Sequence, residues 1–503
     1  MRAVLRLVSA PGSVVAIVMA VDAPQPAARL PLCVDLDGTL LKTDTLLESL
    51  LVVVKRSPAV TLLLPLWLFR GGKAHLKRQI ALRASLDSAA LPYHEELLEF
   101  LRCEHAAGRT LVLVSAADET IVQPIARHLG LFTDVLASDG KVNLKGAQKM
   151  AALRARYGSR GYDYAGNAAS DVVVWNDARG AIVVNARNGV GRRATTPVTR
   201  TFERPKHGLR VVVRALRIQQ WAKNLLVFFP LLMSPQAAEP RRLVRAALAF
   251  VAFSLTASAV YLVNDLLDLE ADRRHATKRR RPLAAGDMSL LTALVLAPVC
   301  LAAGVAVAVA LSPAFFAMLV IYIALTTAYS FRLKHVALLD VVILALLYTG
   351  RVIAGSVATV TWPSPWLLAF SLFFFLSLAF VKRFSELQVL RQNQRESTKV
   401  RGYYPSDLEQ IASEGAASGY IAVLVAALYI NSQAVVAVYS QPIILWMICP
   451  VLLYWISRVW LLAHRGEMHD DPVVFALRDH VSYVVAALVG VILLLARFVP
   501  PIR

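Results

Sequence analysis

The chain has 503 residues, of which 57% are hydrophobic and 17% charged, and its formal net charge is +20. Its mean hydropathy is +0.55, an apolar excess that excludes a single ordinary water-soluble domain. So much positive charge on so apolar a chain fits inner-face loops and anionic lipid or phosphate ligands better than nucleic acid.

In chain order, residues 1–28 carry two early arginines and a short apolar run, a pattern shared with secretory leaders. Pro11 and Gly12 interrupt that run, so a poorly ordered extension is expected there and export is not. The four cysteines, Cys33, Cys103, Cys300 and Cys449, form no CxxC or disulfide-dense pattern and imply no oxidising compartment. From residue 29 to 191 the apolar runs "LPLCVDL", "TLVLVSA" and "GAIVVNA" alternate with helical stretches such as "AQKMAALRARYG". That alternation predicts an α/β domain with a mainly parallel sheet. Within it Thr45 to Gly72 is unusually apolar and reads as a helical cap over the sheet, the alternative being a segment that dips into a membrane surface. Residues 192–210, "RRATTPVTRTFERPKHGLR", are basic, polar and proline-containing, and read as a linker.

From residue 211 to 503 apolar runs of helix length recur nine times, at 217–234, 242–266, 289–311, 313–330, 338–359, 364–384, 413–437, 441–462 and 480–498. An all-α, nine-helix integral-membrane domain is expected. Connections after the second, fourth, sixth and eighth runs are charged, whereas those after the third, fifth and seventh are short and almost uncharged. By the positive-inside bias the charged face is cytoplasmic, which puts the α/β domain in the cytoplasm under an inner membrane and the C-terminus outside.

"VDLDGTLL" sets Asp35 and Asp37 at i and i+2 where a strand ends, so both carboxylates point to one side, and Gly38 allows the turn that follows. Two carboxylates so close repel unless a cation joins them, which suits Mg2+ and carboxylate attack on a phosphoryl group. "LVLVSAAD", "SDGKVNLKGAQKM" and "YAGNAASD" follow in order, and together these segments resemble the haloacid dehalogenase-like (HAD) phosphatase superfamily. The resemblance implies a Rossmann-like fold with Asp35 as phosphoryl-accepting nucleophile and Asp37 as general acid and base. It implies Ser115 and a lysine, Lys145 or Lys149 with Lys145 preferred, on the phosphate, and Asp35, Asp37, Asn167 and Asp171 around Mg2+. The family commonly has Asp where this chain has Asn167, so an active phosphatase and a degenerate domain both stay open.

In "NDLLDLEAD" the residues Asn264, Asp268 and Asp272 fall at i, i+4 and i+8 on one expected helical face, with Asp265 beside them. Stacked carboxylates at a membrane helix end require divalent metal, and hard oxygen ligands point to Mg2+. Six of the nine residues from Arg273 to Arg281 are Lys or Arg, and Pro282 and Gly286 can turn some of them back toward the acids. Metal and cations on opposed sides would clamp a diphosphate.

This motif with "TKRRRPLAAG" resembles the UbiA superfamily of integral-membrane prenyltransferases, over residues of about 205 to 500. Aromatic prenyltransferases of that superfamily carry a second acidic DxxxD after the fourth helix, where this chain has Asp340 alone. "RIQQWAKNLLVFFPLL", "YSFRLK", "GRVIAG", "KRFSELQVL" and "DDPVVFALRD" resemble instead its polyprenyl-phosphate phosphoribosyltransferase branch. The resemblance implies 5-phosphoribosyl 1-diphosphate (PRPP) as donor and a polyprenyl phosphate, usually decaprenyl phosphate, as acceptor.

On this reading Asn264, Asp265, Asp268 and Asp272 hold Mg2+ on the donor diphosphate, while Lys278 and Arg281 neutralise the leaving group. Lys223, Lys334, Arg351 and Tyr329 are candidate substrate contacts or interfacial anchors. Asp340 either stabilises cationic character at the anomeric carbon or binds a second metal. A fused phosphatase could then remove the 5-phosphate, giving polyprenyl-phosphoryl ribose for arabinan-type cell-wall synthesis. The alternative is an aromatic prenyltransferase, with a phosphatase of unrelated substrate or a regulatory HAD domain. A homo-oligomer is compatible with either.

Overall fold

The computed structural model describes residues 29–186, 189–203, 208–234, 236–361, 364–392, 401–436, 439–468 and 471–500. The extension expected over residues 1–28 lies outside the described residues. The chain divides near residue 205 into two compact units.

The first unit is a parallel α/β sheet. Its strands are β1 (Leu32–Asp35), β2 (Leu111–Asp118), β3 (Asp134–Ser138), β4 (Asp163–Gly166), β5 (Gly180–Val184) and β6 (Val198–Phe202). Its helices are α1 (Thr45–Arg56), α2 (Leu64–Ala81), α3 (Glu95–Ala106), α4 (Glu119–Leu129), α5 (Ala147–Tyr157) and α6 (Val172–Asp177). Leu32, Cys33 and Val34 have no exposed surface, as expected of a parallel strand covered on both faces. The strand order β3-β2-β1-β4-β5-β6 makes the chain run outward from β1 to β3 and return to β4 on the other side. A crevice therefore opens where β1 and β4 end, the position at which such sheets bind ligands.

One boundary differs from the sequence expectation. Val198–Phe202, inside the expected linker, pairs in parallel with β5 and becomes the edge strand. Only Phe202 of the strand is buried, so its polar composition is what an exposed edge tolerates. The expected cap is helical: α1, a 3-10 helix over Pro58–Leu63, and α2. Asp44 caps α1 by accepting from Leu46 N and Leu47 N.

The second unit is helical: α7 (Gly208–Ala215), α8 (Phe229–Leu232), α9 (Pro240–Leu267), α10 (Leu269–Arg274), α11 (Leu290–Leu311), α12 (Pro313–Phe331), α13 (Leu339–Thr359), α14 (Pro365–Gln392), α15 (Leu408–Ile430), α16 (Gln433–Val436), α17 (Ile448–His464), α18 (Pro472–Ala476) and α19 (His480–Phe498). Among the described residues, eight helices are long and apolar enough to cross a membrane. Two of them, α12 and α19, bury only 17% of their apolar windows, so most of their hydrocarbon faces outward, as lipid permits and water does not.

The first expected span, 217–234, is different: Ile218–Phe228 winds as a 3-10 helix before the short α8. Polar side chains inside the run explain this. Trp221 Nε1 donates to Ser258 Oγ at 2.9 Å and Asn224 Nδ2 to Ser254 Oγ at 3.0 Å, which ties the segment to α9. On its other side Gly355 admits the Val227 carbonyl, which would lie 2.0 Å from a Cβ at that position.

Candidate functional site

The first unit concentrates its chemistry at the end of β1. Asp35 Oδ1 accepts from Lys149 Nζ at 2.5 Å, and Lys149 also donates to Tyr164 Oη at 2.9 Å. Tyr164 Oη in turn donates to Asp171 Oδ1 at 3.1 Å. Asp171 Oδ2 accepts the backbone N–H groups of Asn167 and Ala168, at 3.0 and 2.9 Å, and so shapes the loop after β4. Thr39 Oγ1 donates to Asp35 Oδ2 at 3.3 Å, and Asp37 Oδ1 accepts from Thr45 N at 2.8 Å. Gly38, with φ of +76°, has the Asn167 amide against its open face: a Cβ there would meet Asn167 Nδ2 at 2.1 Å.

Burial pushes the Asp35 carboxyl up to about 6 with Lys149 pulling against it, and burial pushes Asp37 up to about 7. Against burial, Asp35 and Asp171 hold the Lys149 ammonium above its ordinary value. Asn167 Oδ1 is buried without a hydrogen-bond partner, and with Asp35 and Asp37 it forms a set of hard oxygen donors that fits Mg2+.

Expectation and structure part at the lysine. Lys149 is 3% exposed on α5 and reaches Asp35, whereas Lys145 precedes the helix and is exposed. Lys149 therefore replaces Lys145 as the lysine at this site. Ser115 sits fully buried in β2, where its Oγ accepts from Ala117 N at 3.0 Å. A residue that the sequence did not single out, Lys77 of α2, donates to Ala116 O at 2.7 Å and Asn143 Oδ1 at 2.9 Å. Burial lowers its ammonium from the ordinary value.

The second unit contains a cavity of about 740 Å³ between its helices. Among the described residues seven lysines and arginines line it with two carboxylates, Glu386 and Asp471, and even with Asp265 and Asp272 behind the wall the cations are in excess. Lys223, Lys278, Arg281, Arg351 and Tyr329, all picked out from sequence, are in its wall together with Asn264. Lys334 is not; it lies in the 3-10 turn Leu333–His335, where burial lowers its ammonium.

The acidic row does not form the single helical face expected. Helix α9 ends at Leu267 and Asp268 is its C-cap, with a side chain 44% exposed and outside the cavity wall. Asp265 and Asp272 are buried behind the wall. Arg281 Nη1 bonds Asp265 Oδ1 at 3.1 Å and Asp272 Oδ2 at 2.6 Å, and Arg217 also pairs with Asp265. Among the described residues no three His, Cys, Asp or Glu side chains come together as a metal cage. The expected clamp is thus an arginine-bridged pair of acids, with basic groups facing the cavity.

Asp340 is corrected more sharply. It is fully buried and lines no part of the cavity; Arg383 Nε lies 2.7 Å from its Oδ2, and Tyr403 Oη donates to its Oδ1 at 2.6 Å. Arg383 also pairs with Glu386, which does reach the cavity. Asp340 therefore lies one layer beneath the wall, joined to it through Arg383 and Glu386.

The sequence also left Asp471 unassigned, although "DDPVVFALRD" contains it. Its Oδ2 accepts from Lys223 Nζ at 2.8 Å and Lys382 Nζ at 3.1 Å. Against burial, those two lysines hold the carboxyl well below the usual carboxylate range. Arg351 Nε donates to Asn224 Oδ1 at 2.8 Å and its Nη2 to Tyr322 Oη at 3.0 Å, which fixes a guanidinium beside the Tyr348 ring. Tyr348 stacks on Phe375 with centroids 5.0 Å apart. Phe375 belongs to the wall of a second, wholly apolar cavity of about 310 Å³.

Comparison with known proteins agrees with this division. The profile of the UbiA prenyltransferase family matches residues 225–497, and that of haloacid dehalogenase-like hydrolases matches residues 32–173. "Uncharacterized protein y4nM" of Sinorhizobium fredii is 40% identical over 469 residues, covering 92% of this chain and 90% of that protein. "Decaprenyl-phosphate phosphoribosyltransferase" of Mycobacterium tuberculosis is 42% identical over 186 residues, covering 35% of this chain and 60% of that protein. Among solved structures, a UbiA homolog from Archaeoglobus fulgidus bound to GPP and Mg2+ is 17% identical, covers 56% of this chain and 99% of that one, and has a TM-score of 0.43.

Proposed function

We propose that this chain, which belongs to the UbiA prenyltransferase family and carries an N-terminal HAD-like domain, makes polyprenyl-phosphoryl ribose in two steps. In the first, a phosphate oxygen of a polyprenyl phosphate bonds to the anomeric carbon of PRPP as the bond to diphosphate breaks, and the diphosphate departs with the electron pair. In the second, the HAD-like domain hydrolyses the 5-phosphate.

One observation carries the first step: among the described residues, seven cations and two carboxylates form the cavity wall. A prenyl diphosphate brings one anionic group on a greasy chain. PRPP and polyprenyl phosphate bring a diphosphate, a phosphomonoester and an acceptor phosphate together, which calls for cations on several sides. Lys278, Arg281 and Arg217 would face the diphosphate, with Lys223, Lys382 and Arg351 toward the other phosphates. The donor would enter as its magnesium salt; of the proposed oxygen ligands Asn264, Asp265, Asp268 and Asp272, Asn264 stands in the cavity wall, Asp265 and Asp272 lie behind it on Arg281, and Asp268 lies outside it. The apolar cavity behind Phe375 suits an isoprenoid chain. The similarity to decaprenyl-phosphate phosphoribosyltransferases supports the same substrates.

In the second step Asp35 would attack phosphorus while Asp37 gives its proton to the departing ribose oxygen. Water then opens the acyl phosphate as Asp37 takes a proton back. A carboxyl pushed up to about 7 is suited to both duties near neutral pH. Lys149 and Ser115 would hold the phosphate, and Mg2+ on Asp35, Asp37 and Asn167, with Asp171 behind them, would supply the charge that offsets the transferring oxygens. The basic connections, under the positive-inside bias, support a cytoplasmic HAD-like domain and inner-membrane spans. The product would be a lipid-linked pentose for arabinan-type polymers.

The test is incubation of membranes with PRPP labelled in the ribose, polyprenyl phosphate and Mg2+, followed by lipid chromatography. Wild type should yield labelled neutral-ribosyl lipid, Asp35→Asn should accumulate its 5-phosphorylated precursor, and Asp265→Asn should yield little of either. Prenyl transfer to an aromatic acceptor with no labelling from PRPP would favour the alternative.

A further inference from the structure

The run Pro58 to Phe69, "PAVTLLLPLWLF", contains no charged side chain, yet much of it is uncovered. Phe69 is 88% exposed and Leu62 80%, and Leu63, Leu66 and Leu68 are exposed at 41%, 41% and 42%. Trp67 is the exception: it is buried with Val53 and Ile80, under the Arg83 guanidinium at 4.7 Å. One face of this hairpin of helices is thus rooted in the fold while a cluster of leucines and a phenylalanine projects from it. A contiguous exposed apolar patch is unusual for a surface meant to face water.

Two further observations bear on what would cover it. Exposed cations bracket the run, with Arg56 before it and Arg70 and Lys73 after it. Projecting hydrocarbon ringed by lysine and arginine is complementary to the boundary between anionic headgroups and acyl chains. The backbone then breaks at Gly71 and Gly72, where Gly72 takes φ of +65°. Beyond the break the same helix carries Lys77, bonded to Ala116 O, and Arg78, paired with Asp118 at 2.9 Å. The second part of the prong, residues 64–69, and the turn that carries Lys77, whose ammonium interacts electrostatically with Asp37, are thus two halves of a single kinked helix.

We propose that Pro58–Phe69 is a membrane-surface anchor that inserts Leu62, Leu66 and Phe69 into an anionic lipid surface and presents the Asp35 site to phosphomonoesters carried on lipid. The presentation half rests on the phosphatase reading above; the anchoring half does not.

The test uses the full chain in vesicles of phosphatidylcholine and phosphatidylglycerol, in a Cys103→Ser background. An environment-sensitive fluorophore on Phe69→Cys should be quenched about twofold or more by lipids spin-labelled near the headgroup, while one on Glu96→Cys, an exposed helix position, should not. No lipid quenching at position 69, including a probe shielded by protein instead, overturns the proposal. In the second arm, Leu62→Ser, Leu66→Ser and Phe69→Ser combined should slow hydrolysis of a lipid-borne phosphomonoester about tenfold and leave p-nitrophenyl phosphate within about twofold. Equal loss on both substrates overturns the presentation half. If wild type hydrolyses neither, the phosphatase reading fails, and quenching still decides the anchor.

Discussion

Lys149 and Asp35 are joined head to head, Nζ to Oδ1 at 2.5 Å, with both groups withdrawn from water. This contact selects between two lysines four positions apart. Lys149→Ala should lower phosphomonoesterase turnover by about a hundredfold or more, the loss expected when a charged donor to a transferring phosphoryl group is removed. Lys145→Ala should stay within about twofold of wild type. The check is steady-state hydrolysis of p-nitrophenyl phosphate; the reverse ranking would return the role to Lys145.

The same carboxyls predict how stability responds to pH and magnesium. Asp35 and Asp37 are pushed up to about 6 and 7, above the ordinary value in an unfolded chain. Between about pH 4 and 7 the folded state therefore binds more protons than the unfolded state, and stability falls as pH rises through that window. A cation among the oxygens offsets the repulsion only once they are ionised. Millimolar Mg2+ should raise the melting temperature more at pH 8 than at pH 5, read by differential scanning fluorimetry of the purified chain. An equal shift at both values would contradict a metal site at these residues.

Asp340 should behave as a structural group. Asp340→Ala strips the buried Arg383 of one of its two carboxylate partners, leaving Glu386, and is expected to cost about 3 kcal/mol of stability. Chemical denaturation in detergent should register that loss, and activity per folded molecule at a permissive temperature should fall far less than the folded fraction. A large drop in kcat with unchanged stability would restore a direct catalytic role.

Lys278 should behave in the opposite way. It stands in an exposed 3-10 turn at the cavity wall, so Lys278→Met would remove the proposed phosphate contact without disturbing packing. The KM for PRPP should rise about tenfold, the scale of one hydrogen bond to a charged group, with little change in melting temperature. Titration of the initial rate against PRPP tests this.

How far the sequence could be read depended on the range of each interaction. The Asp35 and Asp37 pair, the alternating apolar and helical runs and the membrane-length helices are local patterns, and they are present in the structure where expected. Lys145 and Lys149 could not be separated, because the choice depends on which one α5 turns toward β1. Residues 198–202 looked like linker because an edge strand tolerates exposed polar side chains. The 3-10 winding inside 217–234 had no signal, because hydropathy does not register that Trp221 and Asn224 bond to Ser258 and Ser254 of α9. The Lys223 and Asp471 pair, separated by 248 positions, had no signal in a single sequence. The acidic row was visible, but not that Arg217 and Arg281 already bridge it.

If one chain both transfers phosphoribose and removes its 5-phosphate, a single doubly labelled donor reads both steps. Purified full-length protein in vesicles containing polyprenyl phosphate and Mg2+ should receive PRPP carrying carbon-14 in the ribose and phosphorus-32 in the 5-phosphate. The prediction is that wild type moves carbon-14 into lipid and releases phosphorus-32 as inorganic phosphate, while Asp35→Asn retains both labels in lipid at close to one to one. Absence of carbon-14 from the lipid, or the same label ratio in wild type and Asp35→Asn, would contradict it.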